Sequence, residues 1–327
     1  MKLLVIGDKA RVEKYLPDLP VTSQVQVIVA DRGADDDELV ALAPDADFIL
    51  ADAISPVSSS LMERLPSLKL VHSEGVAYNA IDAEAARRLG IAVCNNAGVN
   101  AGAVAEQTIL LMLACLRDAV AGDAAVREGR QIQTKERLMV QGIRELGDCT
   151  VGFIGFGAIA QATAKRLAGW GCTMLYNKRT PLAASAEEEL GVSFRSLDDL
   201  LAESDIVSLH VPVTDATAGL VDEGFLAKMK PGSILVNTAR GEIVNQEALV
   251  DALQNGHLAA AGLDTLCPEP VQPDNPLVAM GSEGPGCVVL SPHIGGVTEG
   301  MFYRAHRNVW ENIARTIAGQ ELVSRVV

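Results

Sequence analysis

The sequence predicts an α/β protein built from two successive parallel-sheet modules, and three observations carry that expectation. Short apolar runs bounded by turn residues recur along the chain. Segments of helical period lie between them. The composition favours aliphatic and small residues, with 49% hydrophobic residues and 29 glycines but only 4% aromatics. At 327 residues the chain can bury two cores of ordinary size.

The runs "KLLVIGD" (2–8), "VQVIVAD" (25–31), "ADFILAD" (46–52), "LKLVHSEG" (68–75) and "IAVCNNAG" (91–98) predict the strands of the first module. Helical period such as that of Ala83 to Leu89 falls between them, and this alternation favours parallel pairing. The module ends near residue 99. Asn100 is placed to cap a long linking helix, because "AVAEQTILLMLACLRDAV" (103–120) contains no Gly or Pro to stop it. Residues 123–149 are polar and weakly patterned. From Thr150 a second series begins with "TVGFIGFG", "CTMLYN", "VSFRS", "DIVSLHVP", "SILVNTARG", "AAAGLDTL" and "CVVLSPHIGG", enough strands for a doubly wound sheet. The closing segment (298–320) predicts a long helix with Met301, Ala305, Val309, Ile313 and Ile317 on one face.

A formal net charge of −15 argues against a nucleic-acid partner, since neutralising phosphates takes a basic face. The run "DRGADDDE" (31–38) reads as solvated acid. No stretch of about 18 apolar residues predicts a membrane span. The opening "MKLLVIGD" reaches Gly and Asp before a signal core forms, so a cytoplasmic location is expected. The six cysteines (94, 115, 149, 172, 267, 287) include no C-x-x-C pair, which predicts buried reduced thiols and no metal site or disulfide framework.

Chemistry enters at "GFIGFGAIA". Gly155, Gly157 and Ala160 form a G-x-G-x-x-A pattern between an apolar run and a helical one. The first glycine permits a tight turn, the second lets backbone approach a pyrophosphate, and the small third residue lets helix and strand pack closely. The N–H groups of Ala158 and Ile159 would face the phosphates. About 20 residues on, an acid usually accepts the ribose hydroxyls of NAD. Here "LYNKRT" offers Asn177, Lys178, Arg179 and Thr180. An amide that repels nothing, followed by cationic and hydroxyl donors, suits the 2′-phosphate of NADP, so NADP(H) is favoured over NAD(H).

Of the five histidines, His257 and His306 sit in ordinary helix or loop patterns, whereas His72 and His210 end strands and could line a cleft. His293 stands apart in "SPHIGG", at a strand end beside proline and glycines. Reducing a 2-keto acid requires a carboxylate anchor, a general acid and a partner that tunes the acid. Arg240 after "ILVNTA", His293 and Glu269 of "CPEP" can supply them near predicted carboxyl ends of strands.

The motifs "GVAYNAID", "NNAGVNAGAVAEQ", "VGFIGFGAIA", "HVPVTDAT", "NTARGEIV", "AAGLDTLCPEP" and "SPHIGG" run through most of the chain, and in this order it resembles the D-isomer-specific 2-hydroxyacid dehydrogenases, a family including phosphoglycerate dehydrogenases and glyoxylate/hydroxypyruvate reductases. The resemblance implies a flavodoxin-like substrate domain (1–99 plus 297–327) and a Rossmann cofactor domain (100–296). It implies that Arg240 binds the substrate carboxylate and ketone oxygen, that His293 is the acid/base, and that Glu269 holds the imidazole and stabilises its protonated form. Asp264 resembles the residue that fixes the nicotinamide carboxamide. His210, Pro212 and Thr217, Thr238 and Ala239, and Gly295 fall at cofactor positions of their motifs. Val76 and Ala77 would bind the substrate carboxylate through backbone N–H groups, with Asn100 beside nicotinamide and substrate. A homodimer formed through the cofactor domain and linking helix is implied, although core packing within one chain accounts for "TILLMLACL" equally well.

Three positions depart from the family pattern: Ala77 stands for a common glycine, Gln107 for a frequent histidine, and Glu74 puts an acid before the substrate loop. If Glu74 lines the pocket, it disfavours a doubly anionic substrate and points to a glyoxylate-, hydroxypyruvate- or pyruvate-like acid. If it points away, the argument lapses. Two other functions stay open, namely a dinucleotide-sensing corepressor-like protein and a formate- or phosphite-type dehydrogenase of the same superfamily.

Overall fold

A computed structural model describes residues 1–281 and 286–327. The chain divides into two units, one of Met1–Asn100 with Val297–Val327 and the other of Ala101–Gly296.

In the first unit, β1 (Lys2–Ile6), β2 (Gln26–Ala30), β3 (Phe48–Ala51), β4 (Leu70–Ser73) and β5 (Ala92–Cys94) pair in parallel in the order β2-β1-β3-β4-β5. That is the flavodoxin-like order. Successive residues of a strand face opposite sides of a sheet. Leu4, Ile6, Ile49 and Val71 accordingly pack with Leu39, Leu61 and Ala85 on one face. Leu3, Val5, Phe48 and Leu70 pack with Val309, Trp310 and Ile313 of the C-terminal helix Glu299–Ala318 on the other. Covering both faces is why these strands read as unbroken apolar runs. Thr298 caps that helix by accepting from the Met301 N–H, and left-handed Gly319 ends it. Its buried face also takes in His306 and Asn312, whereas Ile317 at the last turn is 40% exposed, so the predicted stripe stops one turn early.

The second unit holds β6 (Thr150–Ile154), β7 (Thr173–Asn177), β8 (Val192–Phe194), β9 (Ile206–Leu209), β10 (Ser233–Asn237), β11 (Leu258–Leu263) and β12 (Cys287–Leu290). All pairs are parallel in the order β12-β11-β10-β9-β6-β7-β8. This is the doubly wound Rossmann arrangement, with its topological switch between β6 and β9. Gly152 in β6 admits the helix Leu197–Glu203, since a Cβ there would stand 2.5 Å from a Leu200 methyl carbon.

The linking helix is shorter than expected. It spans Ala101–Leu116 and breaks at Asp118, which adopts a left-handed conformation (φ 51°) and pairs with Arg137 at 2.6 Å. The residues that the sequence left unpatterned are helical, over Ala119–Arg127 and Gln131–Gln141. No described helix is long and apolar enough to cross a membrane.

Asp205, at the entry to β9, ties several elements together. It accepts the Thr150 N–H at 2.8 Å, Lys230 Nζ at 2.7 Å and Arg144 Nη1 at 3.0 Å. Burial alone would raise this carboxyl, but the hydrogen bonds from Lys230 and Thr150 and the two cationic charges outweigh it and hold it below its usual range. A depressed folded-state value contributes stability above the unfolded value of about 3.9, and that stability is lost as pH falls through the folded value. Asp205→Asn is expected to cost about 1–3 kcal/mol in urea unfolding at neutral pH. The gap from the parent protein should narrow as the pH is lowered below about 4; a gap that stays constant on acidification would contradict this account.

Candidate active site

Parallel strands deliver their carboxyl ends to one edge of the second unit's sheet. His210 follows β9, Thr238 to Arg240 follow β10, Asp264 follows β11, and Ser291 to His293 follow β12. His293 Nδ1 lies 2.7 Å from Glu269 Oε2, while Glu269 Oε1 accepts the Leu266 N–H at 3.2 Å. Both oxygens of Glu269 are therefore anchored, and His293 Nε2 has no partner among the described residues. Arg240 is exposed, pairs with no acid among the described residues, and donates to its neighbour's carbonyl, Ala239 O, at 2.7 Å. Its turn is held by Asn237, which is fully buried, donates to the Arg240 carbonyl at 2.8 Å and accepts the Ala239 N–H at 2.9 Å. Gly241 lets that turn lie against the Glu269 loop, since a Cβ there would come 2.1 Å from the Leu266 carbonyl carbon.

His293 has φ +54°, a conformation an L-residue adopts only when its surroundings enforce it. Asp264 supplies the enforcement. Its Oδ1 accepts the Ser291 hydroxyl at 2.5 Å and the Ile294 N–H at 3.0 Å, and its Oδ2 accepts the Gly295 N–H at 2.8 Å. Gln107 donates to Ser291 Oγ at 2.9 Å, which gives this departure from the family pattern a local task. Asp264, expected at the nicotinamide carboxamide, thus has three of a carboxylate's roughly four acceptor sites committed to the His293 loop. Gly295 gives its N–H to the same clamp and has no room for a Cβ, which would stand 2.8 Å from Asp264 Oδ2.

At the switch point, Gly155 has φ +82°, and a Cβ there would meet the His210 carbonyl oxygen at 2.6 Å. A Cβ on Gly157 would meet nothing within 4 Å, so this side of the turn is open. Gly157 caps the helix Ala158–Leu167 without a side-chain bond, and the Ala158 and Ile159 N–H groups have no partner among the described residues. Open space beside unpartnered N–H groups at the positive end of a helix fits a dinucleotide pyrophosphate. Asn177 donates its amide to the Arg195 carbonyl at 2.8 Å and keeps its oxygen free. Neither Lys178 nor Arg179 pairs with an acid among the described residues, and Arg179 and Thr180 are exposed. Thr217 closes the loop after β9 by donating to the Pro212 carbonyl at 2.5 Å, and buried Thr238 pairs with Thr108 at 2.9 Å.

The first unit carries the loop after β4. Its carbonyls are tied back: Gly75 O accepts the Asn96 N–H, Val76 O accepts Asn95 Nδ2 at 2.7 Å, and Ala77 O accepts Ser73 Oγ at 2.5 Å. The N–H groups of Val76 and Ala77 have no partner among the described residues, which leaves a pair of donors for an anion. Ala77 has negative φ, so replacing the usual glycine costs the loop no backbone strain. Glu74 requires a correction. Its side chain is buried, with Oε2 2.7 Å from Arg11 Nη2 and Oε1 2.9 Å from His306 Nε2. A carboxylate paired on both oxygens is no bare acid facing a substrate, so direct repulsion by Glu74 drops out.

The remaining histidines serve structure. Burial pushes His210 down to about 3, and it bonds Ser208 at 2.9 Å. Burial likewise pushes His72 down to about 4, with Asn312 at 3.1 Å and the Ser73 carbonyl at 2.8 Å. His257 bonds the Leu226 carbonyl at 2.9 Å. Cys94, Cys115, Cys149 and Cys287 are buried, Cys172 is half-buried, and Cys267 departs from the expectation by being exposed. Among the described residues no group of three or more His, Cys, Asp or Glu is placed to hold a metal ion.

The chain is similar to known proteins over most of its length. The family model of the D-isomer specific 2-hydroxyacid dehydrogenase NAD binding domain matches residues 109–295. A D-3-phosphoglycerate dehydrogenase of Mycobacterium tuberculosis is 39% identical over 298 residues, which cover 91% of this chain and 54% of that protein, so the chain spans about half its length. A glyoxylate reductase of Aeropyrum pernix is 38% identical over 295 residues, covering 88% of this chain and 86% of that one. The solved structure of a glyoxylate reductase from Paecilomyes thermophila is 30% identical, covers 99% of this chain and 98% of that chain, and superposes with a TM-score of 0.80. With a family model matching more than half of its length, the chain belongs to the D-isomer specific 2-hydroxyacid dehydrogenase family.

Proposed function

We propose that the protein transfers a hydride between NADPH and a small, singly charged 2-keto acid to give a D-2-hydroxy acid. The observation that carries this reading is the His293 Nδ1–Glu269 bond, which leaves Nε2 without a partner among the described residues at the edge where Arg240 presents a guanidinium that none of their acids pairs. A bound nicotinamide supplies or accepts the hydride. Arg240 anchors the substrate carboxylate and polarises the ketone, as a planar fork does better than an ammonium. His293 Nε2 gives its proton to the carbonyl oxygen and recovers it in the reverse direction, while Glu269 holds the ring through Nδ1. On the first unit, the Val76 and Ala77 N–H groups are themselves a pair of donors suited to a carboxylate. Names among the relatives divide between a phosphorylated acid and glyoxylate; a glyoxylate-, hydroxypyruvate- or pyruvate-like substrate is our reading.

Lys178 and Arg179, unpaired beside Asn177, support preference for NADPH. The reading includes a homodimer through the second unit: Met139 and Val140, on the second helix after the linking helix, are 73% and 91% exposed, and Leu110 on the linking helix is 56% exposed. Nine residues of the linking helix are already buried within the chain, so its apolar run serves the core first.

Four measurements test these statements. A panel of glyoxylate, hydroxypyruvate, pyruvate, formate and phosphite, followed by nicotinamide absorbance, should show turnover of the keto acids alone. His293→Ala should lower kcat by about 100-fold or more, and Asp264→Asn by about 10-fold or more with KM less affected, because it loosens only the acid's positioning; near-parental kcat in either variant removes that residue from its role. The kcat/KM for NADPH should exceed that for NADH, and Arg179→Ala should raise the KM for NADPH by about 10-fold; equal use of both cofactors would defeat the preference. Light scattering should give twice the chain mass of 34.4 kDa, and a monomer would refute the dimer.

A further inference from the structure

The carboxyl edge of the first unit's sheet holds a charged network that the proposed reaction leaves unused. Arg11 lies on the helix after β1, Arg32 two residues after β2, Asp52 directly after β3 and Glu74 directly after β4. Arg11 Nη2 is 2.7 Å from Asp52 Oδ2 and 2.7 Å from Glu74 Oε2, and Arg32 Nη2 is 2.7 Å from the same Asp52 oxygen. In a sheet ordered β2-β1-β3-β4-β5, the direction of strand addition reverses between β1 and β3, the crevice where such folds bind ligands. The network borders the candidate substrate loop. Glu74 leads into Gly75, and a Cβ on Gly75 would stand 2.9 Å from Ala53 Cβ.

Two guanidiniums converging on one point at the strand ends next to the candidate loop would suit a phosphate, for which arginine's planar donors are well matched. Here two carboxylates take those guanidiniums first, and the four charges sum to zero. A dianionic ligand would have to strip a guanidinium from a largely buried acid, leaving that acid unpaired. Asp52 matters most, because one of its oxygens takes both arginines while its side chain is only 11% exposed. Burial alone would raise its carboxyl, but the Arg11 hydrogen bond and the charges of Arg11 and Arg32 outweigh it and hold it below the usual range.

We propose that Asp52 and Glu74 set the charge selectivity of the enzyme. By occupying Arg11 and Arg32 they leave the substrate loop able to accept one carboxylate and no phosphate, which restricts it to singly charged 2-keto acids. The proposal rests on, and deepens, the reading of the Val76–Ala77 loop as the carboxylate site.

The test compares hydroxypyruvate with its 3-phosphorylated counterpart in the parent protein, Asp52→Asn and Asp52→Asn with Arg32→Ala. In Asp52→Asn the ratio of kcat/KM, phosphorylated over unphosphorylated, should rise by about 10-fold or more, the scale of one charge-assisted hydrogen bond. Adding Arg32→Ala should abolish the gain. An unchanged ratio, or a gain that survives loss of Arg32, overturns the proposal. Thermal melting in inorganic phosphate gives a readout without turnover. Asp52→Asn should be stabilised by phosphate while the parent and double variant are not, and absence of that difference also overturns it. If the parent reduces neither acid, the proposed reaction falls while the phosphate melts still decide the network. Glu74→Gln, which frees Arg11 instead, should show the same two effects if Asp52→Asn fails to fold.

Discussion

Parallel pairing of every strand is the constraint on which the rest of the molecule depends. A parallel pair needs a crossover between its members, so each strand begins at one edge of its sheet and ends at the other. Loops that hold functional groups are thereby collected without any need for them to be neighbours in sequence. Gly155, His210, Arg240, Asp264 and His293 follow different strands, Asn177 ends another, and all emerge on one edge of the second sheet. The same constraint sets composition, because covering both faces with helices favours Val, Ile, Leu and Ala where a half-exposed sheet would alternate.

Charge is buried here only in company, and the company differs with purpose. Asp264 gathers N–H and O–H donors and so fixes a backbone turn, whereas Asp52 and Glu74 gather guanidinium groups. Histidines follow the same logic. Burial without an acid keeps His72 and His210 neutral, while half-exposed His293 faces a carboxylate. Isolated ions would be costly at each of these places.

The strands were legible because each is an apolar run stopped by turn residues, and all twelve of those runs form strands. The helices after Asp118 were not, because few of their residues reach the core and their polar sequence carries little period: only Ala121, Ala125 and Thr134 are buried. At the site, residue types at strand ends marked Glu269 and His293, which the structure joins by a hydrogen bond. The tasks of Glu74 and Gln107 were hidden for a different reason. Glu74 meets His306 across 232 positions and Gln107 meets Ser291 across 184, separations that no local pattern encodes. The amides of Asn237, Asn95 and Asn96 each donate to a loop carbonyl, a task that residue type alone does not mark.

The first unit is assembled from two stretches of chain, and Trp310, 1% exposed, belongs to the later one. On a ribosome residues 1–100 therefore emerge without Val309, Trp310 and Ile313, and wait while the contiguous second unit is made. Until those three side chains arrive, the face of Leu3, Val5, Phe48 and Leu70 has Val12, Val21 and Val25 as its buried partners from the same stretch. The order of synthesis thus lets the second unit close its core before the first.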